Sequence, residues 1–249
     1  MEQEGFELKI FFKPNSVYKT ELLQITETEI LIPNMPEQVS SSEVSSTSTL
    51  SVGPSTDNES DIIITYDTMD MQVTGIGAGQ TKTPELAGMK IYGKLKNGIQ
   101  SIDSIVGGDP TFQDMLQNLI EPMFSSMQID FPNPMKLSDT FLDTKIIELP
   151  MGGIGITTIT MNTNYTLTSV TNDTAYLTTD INLYGNLNMM GKDIPLEGTG
   201  TGTMILDLNN NYILNSSTVI DQEMKMEMQG MIMETKVKAT VNTKTKKVK

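Results

Sequence analysis

The chain has 249 residues, a formal charge of -14 and 37% hydrophobic residues, with 19 Gly and 11 Pro, so it can build a core and punctuate many turns. It contains no Cys, His or Trp, and all 17 basic residues are lysines. This composition excludes thiolate and Ser-His nucleophiles, zinc sites of the usual ligands, the bidentate Arg clamp on phosphate, and attraction to a nucleic-acid backbone. No cofactor is expected and no enzyme activity, although chemistry by Asp and Glu alone stays open.

The start, Met1-Glu2-Gln3-Glu4, has no charged region leading into an apolar one. No run reaches the roughly 18 apolar residues of a transmembrane helix. The expectation is a periplasmic or cell-surface protein whose export signal has been removed, in preference to a cytoplasmic one.

Period-two alternation predicts strands over 6–13, 17–26, 61–74, 86–96 and 99–105 in the first half. The Ser/Thr-rich stretch 37–60 reads as a long surface loop with at most one edge strand, its cluster Asp57-Asn58-Glu59-Ser60-Asp61 being a solvated part of it. Asn97-Gly98 supplies the positive φ angles of a type I′ hairpin turn.

From 111 to 128 the period changes. Phe112, Met115, Leu116, Leu119, Ile120, Met123, Phe124 and Met127 recur at helical spacing, predicting one amphipathic helix capped by Asp109 and kinked at Pro122.

In 157–168, Ile159, Met161, Tyr165 and Leu167 alternate with Thr and Asn, and a second strand carries Ala175, Leu177, Ile181 and Leu183 after an Asn172-Asp173 turn. Strands over 201–208 and 212–220 flank Asn209-Asn210-Asn211, and strands over 222–229 and 231–242 flank Gly230. The end, 243–249, is a basic tail. From Lys236 onward there are six lysines and no acid, a pattern suited to a solubilising edge strand. Alternate glycines at Gly198, Gly200 and Gly202 suit a sharply curved sheet.

The fold expected is mainly β: one domain over 1–249, a large curved antiparallel sheet resembling half a barrel, of about ten or more strands, with the helix packed on it.

Methionine is the outlier, at 19 residues against seven Phe and seven Tyr. Met224, Met226 and Met228 alternate with charges, so one strand face carries three thioethers; Met69 and Met71 repeat the spacing, and Met189 adds another. Unbranched and polarizable, Met either fills the core under the helix or lines a surface that reshapes around apolar cargo. The candidate ligand-binding set is Met69, Met71, Met189, Met224, Met226 and Met228, with Phe112, Leu116 and Met123 from the helix. The partner expected is a lipid, acyl chain or hydrophobic peptide. An envelope protein is the alternative, and the sequence sets no oligomeric state.

The order of phrases along the chain resembles an uncharacterised family of exported proteins of Gram-negative bacteria. The resemblance rests on Leu86-Ala87-Gly88-Met89-Lys90-Ile91, Asn97-Gly98, Ile102-Asp103-Ser104-Ile105-Val106-Gly107, the amphipathic helix, Phe131-Pro132-Asn133-Pro134, Leu137-Ser138-Asp139-Thr140-Phe141 and Gly198-Thr199-Gly200. Ser138-Asp139 stands where the family usually shows Gly-Asp. The resemblance implies export, often with a lipid anchor on a Cys that this chain lacks, and more loosely the half-barrel of periplasmic lipoprotein carriers. It implies no catalytic residues.

Overall fold

The computed structural model describes residues 5–75, 87–96, 99–108, 129–150, 156–189, 192–228 and 231–249. They form eleven antiparallel strands: β1 (Ser16–Leu31), β2 (Gln38–Thr56), β3 (Glu59–Gly75), β4 (Lys90–Lys96), β5 (Ile99–Val106), β6 (Thr140–Pro150), β7 (Ile156–Thr171), β8 (Thr174–Met189), β9 (Lys192–Asp207), β10 (Tyr212–Met228) and β11 (Met231–Lys247). All belong to one open sheet in the order β5-β4-β3-β2-β1-β11-β10-β9-β8-β7-β6. Two meanders therefore meet in the middle, where the first strand pairs with the last from Tyr18↔Lys247 to Leu31↔Glu234.

The expected helix over 111–128 and the Asn97-Gly98 turn lie outside the described residues, although Lys96↔Ile99 pair on either side of that turn. Among the described residues there is no helix.

Several expectations require correction. The Ser/Thr-rich stretch 37–60 is not a loop: Gln38–Thr56 is an interior strand of 19 residues, about 60 Å long at strand rise. Ser and Thr there lie between partners on both sides, and Thr is favoured in strands while Ser tolerates them. Asp57 and Asn58, at φ 52° and 62°, form the two-residue turn closing Thr56↔Glu59, so this acidic cluster is hairpin chemistry. Asn172 and Asp173 play the same part before β8, as expected, with φ of 49° and 56°. The strands expected at 212–220 and 222–229 are one, β10. β6, unforeseen, forms the edge beside β7.

The basic tail is not an edge. β11 runs through Lys247 in the centre of the sheet, where three of its lysines lie opposite acids, while Lys246 lies opposite Lys19 and Lys247 opposite Tyr18. Lys236 lies opposite Glu29 on β1 and Glu223 on β10, Lys238 opposite Glu27 and Asp221, and Lys244 opposite Glu21. Opposite charges at these three positions favour this register, whereas a slip by one residue would turn Lys236, Lys238 and Lys244 to the apolar face.

Residues 6–13 are extended but form no sheet strand. They cross one end of the sheet alongside 129–137, touching it as a bridge, Phe6↔Met135. The side chain of Asn133 continues that pairing: its Oδ1 accepts from Leu8 N at 2.7 Å and its Nδ2 donates to Leu8 O at 3.2 Å. Phe11 N donates to Asn211 O, and Lys13 Nζ to Asn209 O, which fastens the crossing segment to the β9–β10 turn. Ser138, where the resembled family shows Gly, has φ 71°, the left-handed backbone that glycine adopts at least cost.

The core lies under these two segments, at one end of the long strands. One cluster joins Tyr18, Leu50, Val52, Ile62, Ile64, Met89, Ile91, Leu95 and Tyr212, with Phe12 packed on it. The other joins Leu8, Ile129, Phe131 and Met135 to Tyr165, Leu167, Ala175, Leu177, Met204 and Leu206. In the second, Phe131 meets Tyr165 edge-on at 5.5 Å. Burial, and secondarily the Asp143 carboxylate, push the Tyr165 phenol up to about 12, against a partial offset from its bond with Thr163.

Two outcomes follow from this base. Leu177, at 1% exposure, should lose about 2–5 kcal/mol on Leu177→Ala by transfer and cavity terms. Val39→Ala, on a half-exposed side chain, should stay near about 0.5 kcal/mol, and equal costs in urea unfolding would refute the placement of the core. Because Tyr165 in the folded chain ionises later than the unfolded phenol near about 10, its contribution is intact below that pH and is lost as pH rises toward 12. Stepwise alkaline denaturation should show that fall, flattened in Tyr165→Phe, and the late phenolate absorbance step should vanish with it.

Candidate functional site

Residues paired across neighbouring strands share a face, so the registers assign every strand position to one of two surfaces. The face bearing the core continues far beyond it. On β10 it carries Thr218, Ile220, Gln222, Met224 and Met226, on β11 Met233, Val237, Ala239 and Val241, and on β8 Ile181 and Leu183. β3 adds Met69, Met71 and Val73, reached through Ser46, Val44 and Ser42 of β2. The opposite face is mostly Lys, Glu, Asp, Asn, Ser and Thr.

The sheet is curved. Gly198, Gly200 and Gly202 of β9 all point to the apolar face, and a Cβ at Gly200 would lie 2.6 Å from Val219 O, and one at Gly202 2.5 Å from Ser217 O. Such proximity arises when a sheet bends around the side on which the missing side chain would stand, as the alternate glycines led us to expect. The apolar face is therefore the concave one.

Of the six expected methionines on strands, Met69, Met71, Met224 and Met226 occupy this concave face by register. They do not form one cluster. Met69 and Met71 stand on β3, level with Leu22 and Gln24 of β1, while Met224 is level with Ile30, and three strands separate β3 from β10. A tighter group does exist at the end of the strands remote from the core. Met226 faces Met233, and Met224 faces Leu196. The side chains of Met189 and Met228, and the residues Phe112, Leu116 and Met123, lie outside what the structure describes.

Methionine occurs in two settings. Met89, Met135 and Met204 are buried in the base core. Met69, Met71, Met224, Met226 and Met233 are only half-buried, on a face that the segments 5–15 and 129–137 cover at one end alone.

The concave face is uneven in polarity. Over β7–β9 it is aliphatic, with Ile159, Met161, Ile181, Leu183, Leu196 and Ile194; over β1 and β2 it carries hydroxyls and amides at Thr26, Thr28, Gln24, Ser40, Ser42 and Ser46. Among the described side chains of β6 to β10, charge appears on it only at Asp143 and Lys145, which pair at 3.4 Å and are 14% and 21% exposed. Burial also raises the Tyr66 phenol, on the same face of β3. Thr179 Oγ1 is buried with no partner among the described residues, and it lies 2.7 Å from where a Gly202 Cβ would stand.

Sequence reasoning missed a second concavity. A cleft of about 490 Å³ opens between the two crossing segments and the β2–β3 hairpin, lined by Leu8, Ile10, Phe12, Leu95, Ile129 and Phe131, with Asn58 and Ser60 at its polar side. The signal that could have found it is the alternation Phe6, Leu8, Ile10, Phe12, read as a sheet strand. Among the described residues no group of acids is placed to hold a metal ion, and no helix is long and apolar enough to cross a membrane.

No family model matches the chain, and no curated protein matches it. Among solved structures it is similar to lipovitellin, in a structure of lipid–protein interactions in that protein, at a TM-score of 0.45 and 13% identity over 92% of this chain. It spans 25% of the lipovitellin chain. It is also similar to Acinetobacter baumannii OccAB1, at a TM-score of 0.24 and 7% identity, with both chains covered in full. At these low scores the functional reading comes from this chain's own residues.

Proposed function

We propose that the concave face holds an acyl chain or similar lipid-like ligand, and that the protein acts in the cell envelope as an exported binding protein rather than as an enzyme. The observation that carries this reading is that the apolar face continues past the base core, buried at Ile181, Leu183, Ile194 and Leu196 of β8 and β9 and half-buried at Met224, Met226 and Met233 of β10 and β11. An apolar surface this extensive, rimmed by polar residues, is the mark of a binding site.

Its polarity gradient suits an amphiphile. The aliphatic part over β7–β9 takes the hydrocarbon, and the hydroxyls of β1 and β2 take polar groups. Thioethers at the far end supply side chains that repack around chains of different length and unsaturation.

The second reading is an interaction protein of the envelope with no small ligand. It is favoured by the exposed Leu142 and Ile146 on the far side of β6.

The first reading is tested by stripping the protein of lipid and titrating it with a fluorescent fatty acid. Saturable uptake is expected, weakened at least about tenfold by Met226→Glu, since an unpaired carboxylate is costly in an apolar site. Ile232→Glu, on the neighbouring strand but the opposite face and 59% exposed, should leave uptake unchanged. No saturable uptake, or equal loss in both variants, would overturn the proposal.

A further inference from the structure

The sheet is open, and its two edges are β5 and β6. An edge strand presents a row of backbone N–H and C=O groups ready to pair with another strand. β6 presents more than that. On its convex side Leu142 is 53% and Ile146 69% exposed, large aliphatic side chains in water; on its concave side Asp143 and Lys145 stand two residues apart with opposite charge, paired with each other at 3.4 Å within the strand, an exchange of partners being what a second copy would offer.

Laid antiparallel against a second copy of itself about a two-fold axis through Thr144, this strand is self-complementary. Leu142 faces Ile146 of the other copy, Asp143 faces Lys145, and Phe141 faces Ile147, and symmetry makes each match twice. The axis stands perpendicular to the sheet, so only residues of the same face can meet and the register must centre on a residue. Moving the centre by one residue places Asp143 against Asp143, or Lys145 against Lys145. Charge thus selects Thr144. β5, Ile99–Val106, has an acid at Asp103 and no basic residue, so the same construction gives it no charge match.

We infer that two copies of this chain pair through β6, antiparallel and centred on Thr144, continuing the sheet from one copy to the next with both concave faces on one side. The pairing is closed by its two-fold symmetry and stops at the dimer. Its contact is a single strand, smaller than most permanent interfaces, so the dimer fraction should rise with concentration. This does not depend on the lipid reading, and either can fail alone.

Sedimentation of the full chain from micromolar to near-millimolar concentration should show monomer passing to dimer. Lys145→Asp should abolish the dimer by setting acid against acid, and the swap Asp143→Lys with Lys145→Asp should restore it. Circular dichroism checks that each variant is folded. Thr144→Cys, the single thiol in a chain without cysteine, gives a readout that needs no charge change: mild oxidation should link two copies at Cys positions facing across the axis, with Ser104→Cys on β5 linking far more slowly. A monomer at every concentration, growth beyond a dimer, a folded swap variant that stays monomeric, or equal linking at positions 104 and 144 would each overturn the inference.

Discussion

The structure depends on the pairing of the first strand with the last. β1 and β11 are separated by nearly the whole chain, yet they adjoin over 14 residue pairs at the centre of the sheet. Without this seam the chain would be two meanders, one built on β1 to β5 and the other on β6 to β11. Closing so long a loop costs entropy that must be recovered by contacts made only after closure. Three features sit across the seam. Phe12, Tyr18 and Tyr212 stack edge-on in sequence at 4.9 and 5.2 Å, joining the crossing segment to β1 and β10. Tyr18 Oη accepts from Lys13 N, and Tyr212 Oη from Lys247 N, so both phenols bind backbone next to the seam. On the convex face the lysines of β11 fill the space between the acidic edges of β1 and β10.

The charge ladder contributes to register more than to stability. Of its members, Lys236 approaches Glu234 on its own strand at 3.9 Å and Lys225 approaches the same acid at 3.8 Å, with side chains well exposed. Pairs of this kind are worth little singly. Their arrangement matters because β1 and β10 bear acids at alternate positions, and any one-residue displacement of β11 would place its lysines on the apolar face. Part of the basic run, at Lys236, Lys238 and Lys244, is thus the complement of acids on the strands beside it, while Lys246 lies opposite Lys19.

The sequence carried the strands because their side-chain alternation is local: Ile159, Met161, Tyr165 and Leu167 declare a buried face without reference to any partner. It also carried the Asn172-Asp173 turn and the curvature at Gly198, Gly200 and Gly202, since positive φ and a missing Cβ are properties of single residues. What it did not carry is non-local. Nothing in Ser40-Ser41-Ser42-Glu43 shows that two neighbouring strands lie on either side of it, and that placement is what keeps a serine-rich segment extended. Residues 6–13 have the alternation of a strand, but their partner is the loop ending at Met135, so they became cover instead of sheet. The shared face of the methionines could be read within β10, while the offset between β3 and β10 emerges only from the order of eleven strands.

That order also decides where apolar surface is left over. Strands of 16 to 19 residues reach far past the two segments that cross their base, so a chain of this length cannot cover with 5–15 and 129–137 what it exposes on one side. A protein that needed only stability would shorten its strands or place Thr at the remote positions, as it does on the convex face. Here the remote concave positions of β10 and β11 hold Met224, Met226 and Met233. Met89, Met135 and Met204 are buried with Leu, Ile and Tyr at the base, whereas Met224, Met226 and Met233 stay half-buried at the far end of the same face. Methionine thus serves two settings along one sheet face, packed beneath the chain's own crossing segments at the base and half-exposed at the far end among the described residues.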